Sequence, residues 1–263
     1  MKNFVLLCFA LACSLSLGHA AEILQDGQLA TDPRFTDEVA AHYEKNPSEF
    51  AHPGLYVTER PVATKEVVLF IHGMAGHPGN WSKVEQAMDK GRYQGWFAYY
   101  ASGNDLRKSA ESVAKQVQTL LREYNIQKVH VVAHSMGGLV AWHVANLLED
   151  VQVEQLLTIA TPWNGHWASR FGVLFSRNAP EAWESLVPGN PFLEHIWNAP
   201  NPVPHRLVHA VQSASALGDG VISTASQTVP QMAQKAEKVV EVMADHMSVI
   251  EDPENVRVLL ALL

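Results

Sequence analysis

Residues Lys128 to Val144, KVHVVAHSMGGLVAWHV, leave the chain few folds to choose from. A valine-rich run from Val129 to Val132 stops at Ala133-His134-Ser135-Met136-Gly137-Gly138, and an apolar helical pattern begins at Leu139. The reading is strand, very tight turn, helix, with a serine at the apex. Small residues two before and two after the serine let neighbouring backbones pass closely. The pentapeptide is G-x-S-x-G with Ala133 in place of the first glycine. A serine hydroxyl is a poor nucleophile unless it is held exposed beside a base, and a turn of this kind does that holding. The competing reading is that Ser135 merely caps the helix.

The flanking sequence alternates in the same way. Glu66 to Ile71 is a continuous apolar run after its first residue, as expected of a strand buried on both faces. Gly95 to Tyr100 and Val153 to Ala160 read as further strands. Leu106 to Tyr124 has helical periodicity, with Val113, Val117, Leu120 and Leu121 on one face. The helix opening at Leu139 fades at Glu149-Asp150. Strands alternating with helices of this length predict an α/β fold: a mostly parallel sheet with helices on both faces. In such sheets function gathers beyond the C-terminal strand ends, where Gly73, Ser135 and Thr161 fall. From Ala21 to Lys65 the signals are weaker. A short helix is expected over Asp37 to Tyr43 after a Thr36 cap, and a strand over Leu55 to Thr58.

After Ile71 comes His72-Gly73-Met74-Ala75-Gly76-His77-Pro78-Gly79-Asn80-Trp81, a loop whose backbone must approach something closely. Acyl transfer from a serine needs two backbone N–H groups for the oxyanion, one from the residue after the nucleophile and one from such an early loop. By position these are Met136 and Met74. No G-x-G-x-x-G or G-K-[ST] follows, so no nucleotide cofactor is expected, and His72 reads as a structural residue at the base of the loop.

The strand–HGMAGHPGNW loop, the strand–AHSMGG–helix and the Ala160-Thr161-Pro162 junction together resemble the α/β-hydrolase superfamily, in particular its small bacterial secreted lipases and esterases. The resemblance covers roughly Val67 to the C-terminus, and it implies the α/β-hydrolase fold with a serine, an acid and a histidine in that chain order. Asp219, in a Gly-flanked loop after the strand Leu207 to Val211, stands where the superfamily carries its acid. The competitors are a plain solvated turn at Asp219, Asp150 at a helix end, and Glu181, Glu184 and Glu194. His246 lies on the turn after the last strand, Lys238 to Met243, where the superfamily carries its base. A helix from Val256 to Leu263 closes the chain. His134 reads only as the variable position of the turn. Asp245 precedes His246 but points away from it. No histidine pair shows the spacing of a zinc site, so no metal is expected.

Trp163, Trp167, Phe171, Phe175, Trp183, Phe192 and Trp197 crowd into one segment, and the six prolines from Pro180 to Pro204 rule out one long helix. The resemblance makes 163–204 a cap or lid insertion within a single domain of residues 21–263. Half or more of these aromatics are expected to bury one another, while others line an apolar acyl pocket at the mouth of the site and meet lipid transiently; both readings can hold.

The net charge of −8, with no basic run, argues against a nucleic-acid partner. Residues 1–20 read as a secretory signal: Lys2, an apolar stretch from Phe4 to Leu17, then Gly18-His19-Ala20 before a cleavage site. Export to the periplasm or medium follows. Both cysteines, Cys8 and Cys13, would leave with it, and a lipid anchor on Cys13 is the second choice. The resulting expectation is a serine hydrolase of small-molecule or lipid carboxylic esters, working through an acyl-enzyme on Ser135. The alternatives are an acyltransferase, a thioesterase or an amidase on the same three residues, or a binding protein on the same fold.

Overall fold

The computed structural model describes residues 21–176, 179–201 and 203–263. The segment expected to be a signal, residues 1–20, lies outside the described residues. The strands are β1 (Glu22–Ile23), β2 (Gly54–Val57), β3 (Glu66–Ile71), β4 (Tyr93–Tyr99), β5 (Lys128–His134), β6 (Gln152–Ile159), β7 (His205–Val211) and β8 (Lys238–Met243). They form one sheet in the order β1-β2-β4-β3-β5-β6-β7-β8. Every neighbouring pair is parallel except β2 with β4. The sheet is therefore mostly parallel, as the strand–helix alternation predicts.

The helices are α1 (Gln28–Thr31), α2 (Asp37–Lys45), α3 (Ser82–Ala87), α4 (Leu106–Glu123), α5 (Gly137–Leu147), α6 (Trp167–Phe175), α7 (Glu181–Ser185), α8 (Pro191–Asn198), α9 (Thr224–Gln227), α10 (Pro230–Ala233), α11 (Ser248–Glu251) and α12 (Pro253–Leu260). They cover both faces of the sheet. Because side chains alternate along a strand, β3 sends Val67, Leu69 and Ile71 to one side and Val68 and Phe70 to the other. The first set packs with Val117 and Leu120 of α4 and with Leu139 and Val140 of α5. The second packs with Val84 of α3, Ile250 of α11 and Leu259 of α12. All five β3 residues are wholly buried, which is why the run is unbroken in the sequence.

Several boundaries differ from the sequence reading, each for a local reason. β5 continues through Ala133 and His134, which pair with Thr158 and Ile159 of β6. α5 begins two residues earlier than its apolar pattern, at Gly137. α12 begins at Pro253 rather than Val256, because Asp252 accepts hydrogen bonds from the Glu254 and Asn255 amides and proline suits the first helical position. α2 is capped by Thr36 as expected, through a bond from the Val39 amide. Two-residue β1 carried no sequence signal and pairs with β2 through its backbone.

The segment 163–204 is divided among α6, α7 and α8. α7 and α8 extend the helical layer of α4 and α5, burying Ala182, Leu186, Phe192, Leu193 and Ile196 in the same core. The Trp183 indole N–H donates to a Glu44 carboxylate oxygen at 2.7 Å, tying α7 to α2 across the chain.

Candidate active site

Ser135 sits at the C-terminal end of β5 with φ of 55°, the left-handed region that a side chain enters at a cost of about 1–3 kcal/mol. Backbone bonds hold it there. Its N–H donates to the Ile159 carbonyl at 2.8 Å, and its own carbonyl accepts from the Gly138 N–H at 2.9 Å. The two glycines that follow are required by close approach. A Cβ on Gly137 would lie 2.3 Å from the His72 carbonyl oxygen, and one on Gly138 would lie 2.0 Å from Thr161 Oγ1. The turn is thus wedged between the ends of β3 and β6.

The structure brings Ser135, His246 and Asp219 together. The Ser135 hydroxyl donates to His246 Nε2 at 2.9 Å, and His246 Nδ1–H donates to Asp219 Oδ2 at 2.7 Å. This assignment of ring protons follows because an ionised carboxylate can only accept. Asp219 is buried, and its other oxygen accepts from the Val221 and Ile222 amides at 2.9 and 2.7 Å. Gly220, at φ 92°, provides the bend that aims those amides back at the carboxylate. Burial alone would raise the Asp219 pKa. The His246 ring and the two amides outweigh it and hold the carboxyl below its ordinary value.

The competing acids are engaged elsewhere. Asp150 pairs with Arg122 at 3.1 Å, and Glu181 lies 3.7 Å from Lys108. Asp245 accepts from the Met247 and Ser248 amides, so its side chain folds into its own turn.

Met74 and Met136 both border the serine. Among the hydrogen bonds of the described residues, neither backbone N–H has an acceptor. The loop carrying Met74 is braced by residues the sequence reading passed over. The Ala75 amide donates to Ser102 Oγ at 2.9 Å. The Tyr100 phenol donates to the His72 carbonyl at 2.6 Å, and the two rings stack with centroids 4.3 Å apart. His72 Nδ1–H donates to the Gly73 carbonyl at 2.8 Å, and burial pushes the ring down to about 3, so it stays neutral. Tyr100 looked like the last residue of an apolar strand, and only the turn it makes toward His72 gives it a role.

His134, which the sequence reading treats only as the variable position of the turn, has a buried ring whose Nε2–H donates to the His246 carbonyl at 2.8 Å.

A cleft of about 80 Å³ opens onto Ser135 Oγ, lined by Asp37, Met74, Asn80, Trp81, Met247 and Ile250 among others. Among the described residues of 163–204 none lines this cleft. Trp163 and Phe192 are buried in the core, and the Trp197 N–H donates to the Trp163 carbonyl. Trp167, Phe171 and Leu174 instead turn outward from α6, 69%, 54% and 71% exposed. Trp167 shares a shallow depression with exposed Leu217 and Val221 of the Asp219 loop, where the His166 Nε2–H donates to the Val221 carbonyl. Among the described residues no group of three or more His, Cys, Asp or Glu side chains could hold a metal ion. The arrangement sets an imidazole nitrogen where it can take the proton of the Ser135 hydroxyl, with a carboxylate placed to hold the cation that results.

Comparison with known proteins supports the same architecture. The model of the alpha/beta hydrolase family matches residues 68–257. The mature form of a Bacillus licheniformis lipase superimposes with a TM-score of 0.60 at 19% identity, covering 81% of this chain and 99% of that one. A triacylglycerol lipase of Pseudomonas fragi is 24% identical over 109 residues, and a lecithin-cholesterol acyltransferase-like protein of Arabidopsis thaliana 26% over 108. Each alignment covers 40% of this chain, but it spans only 37% of the Pseudomonas protein and 19% of the Arabidopsis one.

The wedge at the turn makes a prediction of sign. Glycine to alanine inside a helix ordinarily stabilises, by roughly 0.5–1 kcal/mol. Gly138→Ala is expected to destabilise by about 1–3 kcal/mol in urea unfolding, because the methyl has no room. Adding Thr161→Ala removes the obstructing hydroxyl, which is buried without a hydrogen-bond partner, and is expected to recover much of the loss. A Gly138→Ala protein as stable as wild type would contradict the packing described.

Proposed function

This chain belongs to the alpha/beta hydrolase family, and on that premise we propose that it is a serine hydrolase of carboxylic esters. The observation that carries the reading is the chain of two hydrogen bonds from Ser135 through His246 to Asp219, 2.9 and 2.7 Å long. In the proposed reaction His246 Nε2 takes the Ser135 proton as Oγ attacks the ester carbonyl. The Met74 and Met136 amides receive the oxyanion. Asp219 holds the imidazole in the required tautomer and stabilises its cation. The carbonyl re-forms, the bond to the leaving alcohol breaks, and His246 returns the proton to that alcohol. Water, deprotonated by the same nitrogen, then releases the acid and frees Ser135.

A lipid or small-molecule ester is the proposed substrate. The exposed α6 stripe beside the Asp219 loop is the surface we assign to transient contact with lipid. Acyl transfer to an alcohol is the second reading. It uses the same acyl-enzyme, and similarity to the Arabidopsis acyltransferase-like protein supports it. Adding methanol to the assay separates the two, since a transferase yields methyl ester in preference to acid.

We further propose that residues 1–20 direct export and are removed. Protein recovered outside the cytoplasm is then expected to begin at Ala21 on N-terminal sequencing, and recovery of uncleaved chain there would refute cleavage.

Turnover of p-nitrophenyl butyrate tests the main reading. Ser135→Ala is expected to lower kcat on the order of 10⁴-fold or more while its thermal unfolding stays cooperative. Wild-type-like turnover in that variant would remove Ser135 from the mechanism.

A further inference from the structure

The base of the proposed mechanism stands on a turn at the sheet's edge. β8, which delivers it, is the last strand, and Val239 and Met243 on it are 42% and 60% exposed. Among the described residues no strand neighbours its outer flank to fix where the turn lies. A histidine delivered this way needs its main chain held from the inside, because the ring's reach to Ser135 follows the position of its own Cα.

Both peptide groups of His246 are in fact bonded inward. Its N–H donates to the Asp219 carbonyl at 3.0 Å. Its carbonyl accepts the Nε2–H of His134 at 2.8 Å. His134 is the residue immediately before the serine, on central strand β5, where it pairs with Ile159 of β6. Its ring is buried and lies against the His246 ring, with centroids 4.6 Å apart and planes inclined by 45°. One short side chain thus connects the nucleophile's own turn to the backbone of the base, 112 residues further along.

The chemistry of that side chain suits the task. A carbonyl oxygen can only accept, so the His134 ring must carry its proton on Nε2. Burial pushes this ring down to about 3, with the neighbouring His246 acting in the same direction. It therefore remains a neutral donor and places no second cation beside the imidazolium that forms on His246.

We infer that His134 is a positioning residue for the base: its Nε2–H bond to the His246 carbonyl sets the distance from the His246 ring to Ser135 Oγ. The inference rests on the reading of Ser135 and His246 as nucleophile and base, and it adds a function for a residue that takes no part in the proton transfer between them. Losing the bond frees the turn to drift, and a displacement of about 1 Å between reacting groups costs on the order of 10²-fold in rate.

The test compares His134→Phe, which keeps a ring but has no donor, with His134→Gln, whose side-chain amide can reach the same carbonyl. Steady-state kinetics with p-nitrophenyl butyrate are measured for both and for wild type, alongside thermal unfolding. His134→Phe is expected to lose about 10- to 100-fold in kcat with KM within two-fold of wild type. His134→Gln is expected to recover most of that loss. A His134→Phe enzyme with kcat within two-fold of wild type would overturn the inference alone. So would a Gln variant as slow as the Phe variant despite unfolding at the wild-type temperature. A wild-type protein inactive on this and every other ester would overturn the parent reading first, and this inference with it.

Discussion

Everything at the site depends on one residue held in a conformation it would not choose. Ser135 is kept at positive φ by bonds to the carbonyl of Ile159 and from the amide of Gly138. Its turn fits only because the next two residues have no side chains to meet His72 and Thr161. Three parallel strands, β3, β5 and β6, must end at the same level for this wedge to close. The buried apolar faces of those strands and of α4, α5, α3 and α12 keep them there. Core packing on both sides of the sheet therefore stabilises a strained turn at its edge, and the strain leaves a hydroxyl pointing out of the backbone.

Two further loops converge on that hydroxyl, and each is fixed by its own local bonds. The Asp219 loop folds its Val221 and Ile222 amides onto one carboxylate oxygen, so its own backbone aims the other at His246. The His246 turn is organised by Asp245, which caps the following amides, and by contacts to Asp219 and His134. On the opposite side, Tyr100 and Ser102 brace the loop that carries Met74. Each element supplies one group, and none depends on side-chain freedom at the moment of reaction. Such preorganisation is what lowers a barrier in a site with few charges.

Much of this was legible in the sequence, for identifiable reasons. A strand buried on both faces leaves an unbroken apolar run, so β3 and most of β5 and β6 could be located. A serine turn with Gly137 and Gly138 brought in the resemblance to the superfamily, and that resemblance pointed to Asp219 and His246 in loops after late strands. The contact of His134 was not legible because its partner is a backbone carbonyl 112 residues away, and carbonyls have no sequence. Tyr100 was missed for the same reason. Which aromatics of the segment are buried and which exposed was not legible, because its pattern does not say which side of a helix faces inward. α6 turns its small residues inward: a Cβ on Gly172 would lie 2.0 Å from the Trp183 ring, and Ser169 is buried. Trp167, Phe171 and Leu174 are left outside, and among the described residues the cleft at Ser135 is lined from elsewhere.

The central claim is that Ser135, among all the hydroxyls of the chain, is the one activated by a base. Treatment with a fluorophosphonate followed by intact mass measurement and peptide mapping tests this without choosing a substrate. The account predicts one adduct per chain, carried by the peptide that contains His134-Ser135-Met136. An unmodified protein, or an adduct on a different serine, would contradict it.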